Sequence, residues 1–179
     1  FKDLWDIIYD SPNLQGGFIW DFIDQTILTG DPATGQFFYG YGSDWQTPLN
    51  DGDFCGNGLV NADRTPSAEL QEVKKVQQDV RFLYEASTSQ LTLINDFLAT
   101  NLDEFVAELN FYQNGQLFHQ VLLSDAEKKI APADSKTLKV ELPKWDENAE
   151  IVLEVLVKYQ QDQLWANAYG GRQGGSFAF

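Results

Sequence analysis

From Val80 onward, apolar and polar residues alternate through "VRFLYEA", "QLTLIND", "FVAELNFYQNGQLFHQVLLS", "TLKVELP" and "EIVLEVLVKY". A period of two predicts strands with one buried face. Asn114 and Gly115 split the third run, and both suit the positive φ of a type I′ hairpin turn. At least six short strands within about 80 residues predict an antiparallel β-sandwich of immunoglobulin-like type.

Before residue 65 the pattern is different. Phe1, Leu4, Trp5 and Ile8 recur at helical spacing until Pro12 in "DSPN" stops them. "LQGGFIW" is then apolar at successive positions after Gly16 and Gly17, which predicts a strand buried on both faces, as in parallel sheets covered by helices. A helix followed by such a strand is one step of an α/β repeat. Residues 26–64 hold no sustained period, yet Gly30, Gly35, Gly40, Gly42, Gly52, Gly56 and Gly58 alternate there with Phe37, Phe38, Tyr39, Tyr41, Trp45 and Phe54. So many aromatics predict a binding surface or a packed Ω-loop in place of a flexible linker.

"RTPSAELQEVKKVQQ" predicts a helix with Thr65 at the N-cap, Pro66 at the first helical position, and Leu70, Val73 and Val76 on one stripe. The expected organisation is therefore an α/β segment with a long loop over residues 1–64, a connecting helix over 65–78, a sandwich over 79–168 and a flexible Gly-rich tail over 169–179. The stretch "NAYGGRQGGSFAF" is expected to be poorly ordered or to need a neighbour. The chain has no Met, so it reads as an excised or processed piece.

Charge and cysteine usage narrow the function. A net charge of −15 and a pI near 4.2 argue against nucleic acid and anionic membrane surfaces as partners, and serve solubility. Cys55 and His119 are single copies, so neither an internal disulfide nor a Cys/His zinc cluster is available, and the disulfide of a true antibody domain is ruled out. With no apolar run of membrane-spanning length and no signal-peptide pattern, a cytoplasmic location is the expectation.

Two stretches carry candidate chemistry. "NLQGGFIWDFIDQ" sets Asp21 and Asp24 beside Trp20, and paired carboxylates near an aromatic platform are what a glycosidase needs. In an extended segment, side chains three apart point to opposite faces about 10 Å apart, which is awkward even for an inverting pair. In a helical turn they would come together, but they would serve equally as N-caps. Trp20 reads first as a core aromatic, the usual place for such a side chain, and its position at the C-terminal end of a predicted strand brings the alternative, a flat wall for the C–H face of a sugar, closer. In "DGDFCGNGL", backbone carbonyls around Gly52, Gly56 and Gly58, with the Asn57 side chain, offer neutral oxygens to a hard monovalent cation. A Gly-rich turn without an ion explains the same residues. Cys55 reads as a small buried hydrophobe.

"LQGGFIWDFIDQ" and the later "YGYGSDWQTPLNDGDFCGNGLVNADRTPSAELQEVKKVQQ" together resemble the final barrel segment of the large microbial β-galactosidases of glycoside hydrolase family 2. The likeness is dense over residues 1–85. The remainder, with "NDFLATNLDEFVAELNFYQNGQ", resembles the immunoglobulin-like domain that follows the barrel, to about residue 168. The resemblance implies a five-domain parent with a central (β/α)8 barrel, of which this chain spans the last strand, its long loop and the fourth domain. The implied fold class is mainly β: an immunoglobulin-like antiparallel sandwich preceded by the last α/β segment and loop of the barrel.

It further implies that Trp20 is the aromatic wall beneath the galactosyl group. The Phe54 backbone carbonyl and the Asn57 side chain would help bind a sodium ion that contacts the sugar's 6-hydroxyl, and the Phe54 ring would belong to the mobile part of the site. No catalytic residue is implied in this chain. The family's acid/base and nucleophilic glutamates, its magnesium ligands and the aspartate completing the sodium site lie on earlier segments, and Glu69, Glu72 and Glu85 do not match them. "AYGGRQGGSFAF" departs from the family's more polar, His-containing continuation.

The expected function is therefore that of a fragment of a retaining β-galactosidase acting on terminal β-D-galactosides such as lactose, inactive alone. Its partners would be the rest of a homo-oligomeric parent chain and the galactoside, with no nucleic acid and no membrane. The rival readings are a non-catalytic β-sandwich module that binds carbohydrate or spaces domains, with residues 1–64 as an arm, and a separate subunit that complements a partner chain.

Overall fold

In a computed structural model that describes residues 1–52, 54–168 and 173–178, the alternation after Val80 becomes six strands, joined by a seventh from the Gly-rich tail, in two antiparallel sheets. The chain divides into two units, Phe1–Gln77 and Gln78–Phe179.

The first unit opens with helix α1 (Lys2–Asp10), whose Trp5 and Ile8 are half-buried. Residues 14–19 do not form the expected buried strand. They form no regular element and are largely exposed, with Phe18 fully open to solvent. A parallel strand needs hydrogen-bonded neighbours, and among the described residues this stretch has one contact of that kind nearby, the parallel bridge between Ile23 and Val60.

Residues 26–64, read as aperiodic, contain a hairpin of β1 (Ile27–Asp31) and β2 (Gln36–Gly40) in the register Ile27↔Gly40 to Asp31↔Gln36. Both faces of the hairpin are mostly exposed, so no alternation marks it in the sequence. A 3₁₀ turn over Gly42–Trp45 follows, closed by the Tyr41 N–H on Asp44 Oδ2 at 2.8 Å.

Helix α2 spans Ala68–Val76, with Ser67 at the N-cap position. The helix start is therefore two residues later than expected, because Thr65 and Pro66 are engaged elsewhere. The Thr65 hydroxyl donates to Asp63 Oδ1 and accepts from Asn61 Nδ2, and Pro66 bridges to Val60. Leu70, Val73 and Val76 form the half-buried stripe that the spacing anticipates.

In the second unit, β3 (Val80–Glu85), β4 (Gln90–Asn95) and β7 (Ser135–Lys139) form one sheet in the order β3-β4-β7. The other runs β6-β5-β8-β9, from β5 (Phe105–Gln113), β6 (Gln116–Leu122), β8 (Ile151–Tyr159) and β9 (Gln173–Ala178). Between β6 and β7 lies a single helical turn, α3 (Asp125–Lys128). Asn114 and Gly115 take φ of 49° and 76° in the β5–β6 turn, as their types demand.

Alternation fixes which face each strand buries. Leu91 and Leu93 of one sheet meet Phe105, Ala107, Leu109, Phe111, Leu153, Val155 and Val157 of the other, all at most 4% exposed. Burying side chains of this size contributes about 1.5–3 kcal/mol each. The opposite face of β5 is polar and fully engaged: Glu108 pairs with Lys158, Asn110 donates to Glu154 at 3.2 Å and accepts from Gln120 at 2.7 Å, and the Tyr112 hydroxyl donates to Glu154 at 3.0 Å.

Much of the expected flexible tail is an ordered strand. β9 pairs along β8 from Val152↔Ala178 to Val157↔Gln173, and Gln173 Oε1 accepts the Val80 N–H at 2.6 Å. Glycine at 174 and 175 makes this possible. A Cβ at 174 would stand 2.8 Å from Leu156 Cδ2, and one at 175 would stand 3.2 Å from Phe82 Cδ2. The rest of the tail, residues 169–172 and 179, lies outside the described residues.

Candidate functional site

Residues 20–25 and 55–60, thirty or more positions apart, are laced together within the first unit. The Asp24 N–H donates to Val60 O at 2.9 Å, Val60 N–H to Phe22 O at 2.9 Å, and Gln25 N–H to Cys55 O at 2.8 Å. A side-chain bond completes the lacing: Gly58 N–H donates to Asp24 Oδ1 at 2.8 Å. Glycine is required at 58, because a Cβ there would lie 2.3 Å from Asp24 N and 2.6 Å from Ile23 C. Two of the nominated residues meet where this lacing ends, with Asn57 Nδ2 reaching the Trp20 carbonyl at 3.5 Å, while Phe54 contacts Asp51 of its own loop.

Trp20 is 69% exposed, so it is not a core aromatic in this unit. Its peptide bond to Asp21 is cis. Asn57 is exposed, and so is the ring of Phe54. The loop before them is shaped by local bonds: Asn50 Oδ1 accepts the Gly52 N–H at 2.9 Å, Asn50 Nδ2 donates to Thr47 O at 2.9 Å, and Phe54 N–H reaches Asp51 O at 3.4 Å. Cys55 is half-buried, and its carbonyl holds Gln25.

The two aspartates part company. Asp24 is taken up by Gly58, while Asp21 is buried and its Oδ2 accepts Gln25 Nε2 at 2.6 Å. Asp21 Oδ1 is buried with no hydrogen-bond partner among the described residues. Downstream, the Thr65 hydroxyl and then the Thr65 N–H, at 2.6 and 2.9 Å, hold the Asp63 carboxyl below the usual carboxylate range. Among the described residues, no three His, Cys, Asp or Glu side chains gather in a way that could hold a metal ion.

Sequence reasoning nominated Trp20, Phe54 and Asn57 but missed the role of Asp24 as the acceptor for Gly58. The available signal was a carboxylate and a glycine on two loop-like stretches, and nothing in either stretch's own pattern pairs them.

Family models match both units. The one described as glycosyl hydrolases family 2, TIM barrel domain, matches residues 1–82, and the one described as beta-galactosidase, domain 4, matches residues 91–169. The chain belongs to glycosyl hydrolase family 2. Among relatives, the β-galactosidase of Vibrio cholerae serotype O1 is 40% identical over 171 residues, covering 94% of this chain and 16% of that protein. That of Priestia megaterium is 35% identical over 170 residues, covering 92% and 16%, and that of Streptococcus thermophilus is 34% identical over 155 residues, covering 87% and 14%. The family 2 chain thus spans about one sixth of the length of these relatives. Trp20, Phe54 and Asn57 all fall within the stretch matched to the family's barrel domain, and the domain 4 match takes in the sandwich from β4 through β8, with β3 and β9 outside it. No helix among the described residues is long and apolar enough to cross a membrane.

Proposed function

We propose that this chain is one part of a cytoplasmic, retaining β-galactosidase that hydrolyses terminal β-D-galactosides such as lactose, and that it supplies binding groups but neither catalytic glutamate. The observation that carries this reading is the contact of Asn57 with the backbone carbonyl of Trp20, a residue whose side chain is largely exposed. Trp20 offers a flat apolar face to the galactosyl ring, where stacked C–H groups lose contact with water. The Phe54 carbonyl and the Asn57 amide oxygen are neutral donors and suit a sodium ion in kind; they would form part of its shell, and the ion when bound would orient a sugar hydroxyl. With Nδ2 turned toward Trp20, Asn57 keeps its other amide atom, the oxygen, for that role.

In this reading the acid/base, the nucleophile, the magnesium ligands and the remaining sodium ligand come from other parts of a homo-oligomeric parent. The purified chain is expected to leave a chromogenic β-galactoside intact. Hydrolysis by the chain alone that disappears on Trp20→Ala would refute this reading. In the parent enzyme, Trp20→Ala is expected to lower kcat/KM by about tenfold or more, the loss of an aromatic wall worth about 1.4 kcal/mol or more. An unchanged kcat/KM would remove Trp20 from the site.

A further inference from the structure

Two Asn–Gly steps occur in the chain, Asn57–Gly58 and Asn114–Gly115. Such a step is self-reactive. The glycine amide nitrogen gives up its proton to hydroxide and attacks the Asn side-chain carbonyl carbon, and ammonia leaves. Water then opens the cyclic imide to Asp or to its β-linked isomer. Glycine speeds this because no Cβ shields its nitrogen or restricts its backbone. At position 58 glycine is obligatory, as the close approach to Ile23, Asp24 and Val60 shows. The packing that builds this loop therefore obliges the chain to carry a reactive step at an exposed asparagine.

We infer that Asn57–Gly58 is a latent deamidation site and that Asp24 keeps it from reacting. The proton that has to leave Gly58 N is held by Asp24 Oδ1 at 2.8 Å, and hydrogen bonds to carboxylates are among the stronger ones. The amidate formed in its place would face that carboxylate, like charge against like. The nitrogen is also kept from swinging toward the Asn57 side chain. The bonds from Gln25 to Cys55, from Asp24 to Val60 and from Val60 to Phe22 pin the strip on both sides of it.

At the other step the restraint falls on the asparagine. Asn114 Oδ1 accepts the Glu150 N–H at 3.0 Å, and Asn114 N–H donates to Glu150 O at 2.9 Å. Asn114 is thus a comparison step within the same chain, restrained by a neutral backbone. Reaction at position 57 would replace a neutral amide with a carboxylate, or lengthen the backbone by one carbon directly beside Trp20.

The test incubates the purified chain at mildly alkaline pH, folded and in guanidinium, and follows both steps by peptide mapping with an isoaspartate readout. In the folded wild-type chain, residue 57 is expected to deamidate about tenfold or more slowly than in the unfolded chain, the protection a charge-assisted bond provides. Asp24→Asn keeps an acceptor but removes the charge, and it is expected to speed residue 57 severalfold while leaving residue 114 at its wild-type rate. Asp24→Ala is expected to bring residue 57 close to its unfolded rate. Equal folded and unfolded rates at residue 57 in the wild-type chain would overturn the inference, whatever the variants do. A rate in Asp24→Asn equal to wild type would overturn it as well. Because the readout is a mass change and not hydrolysis, its failure is distinct from failure of the galactosidase reading.

Discussion

Asn95 shows how much a single side chain can hold. It closes β4 with no exposed surface, and its Nδ2 donates to Thr100 O at 2.9 Å and Ile130 O at 3.0 Å while Oδ1 accepts the Phe97 N–H at 3.1 Å. Asn95→Ala strands two carbonyls and one N–H, and a buried polar group left unpaired costs about 1–3 kcal/mol. The expected loss is about 2–4 kcal/mol of unfolding free energy in urea, allowing for partial relaxation. A loss below about 0.5 kcal/mol would mean that the segment closes over the gap without penalty. At this scale, residue type left Trp20 open between core and sugar wall and Asn57 open between ion ligand and plain turn, and it is the family resemblance that singles out both. Their contact was not legible, because hydrogen bonds between positions 37 apart leave no period in either segment. Asp24 reads from the sequence as structural, but its partner, the amide of Gly58, leaves no mark in either stretch.

Among the elements, α3 is short enough for its cap to matter. Ser124 N–H and the Ser124 hydroxyl donate to Glu127 Oε2 at 2.7 and 2.6 Å, and Ser124 Oγ accepts the Glu127 N–H at 3.4 Å. The hydroxyl first, and then the N–H, holds the Glu127 carboxyl below its ordinary range. An acid whose folded pKa is depressed contributes stability that is present above its unfolded pKa and is lost as pH falls through the folded value. Ser124→Ala is therefore expected to cost about 1 kcal/mol near neutrality, and the gap between variant and wild type should narrow as pH drops through the folded value of Glu127, leaving the share of the cap bond from Glu127 N–H, which does not titrate. Denaturant midpoints of the two proteins at several pH values check this, and a gap independent of pH would contradict it. Strands were legible where one face is buried and the other is not, as in β4 and β8. The β1–β2 hairpin escaped because solvent reaches both its faces, and β9 escaped because its glycines carry no apolar signal. "LQGGFIW" misled in the opposite direction: an apolar run predicts burial only when something lies over it.

The whole molecule is uneven in how it is held. Every buried hydrophobic residue among those described lies at or beyond Val80, whereas Phe18, Trp20, Phe22, Ile27, Leu28 and Phe37 of the first unit are exposed. Limited proteolysis of the chain is therefore expected to cut first within residues 41–54 and to leave a resistant product beginning near Gln78. Survival of residues 1–77 beyond the sandwich would contradict this. The second unit also ties the start of β3 to the start of β9: Val80 N–H reaches Gln173 Oε1 at 2.6 Å, and Gly174 N–H reaches Gln78 Oε1 at 3.2 Å. Each bond joins the two sheets through residues more than ninety positions apart in the chain. The two glutamines thus act as a drawstring, and tension applied across the unit would load their pair of bonds before it reached the apolar sandwich.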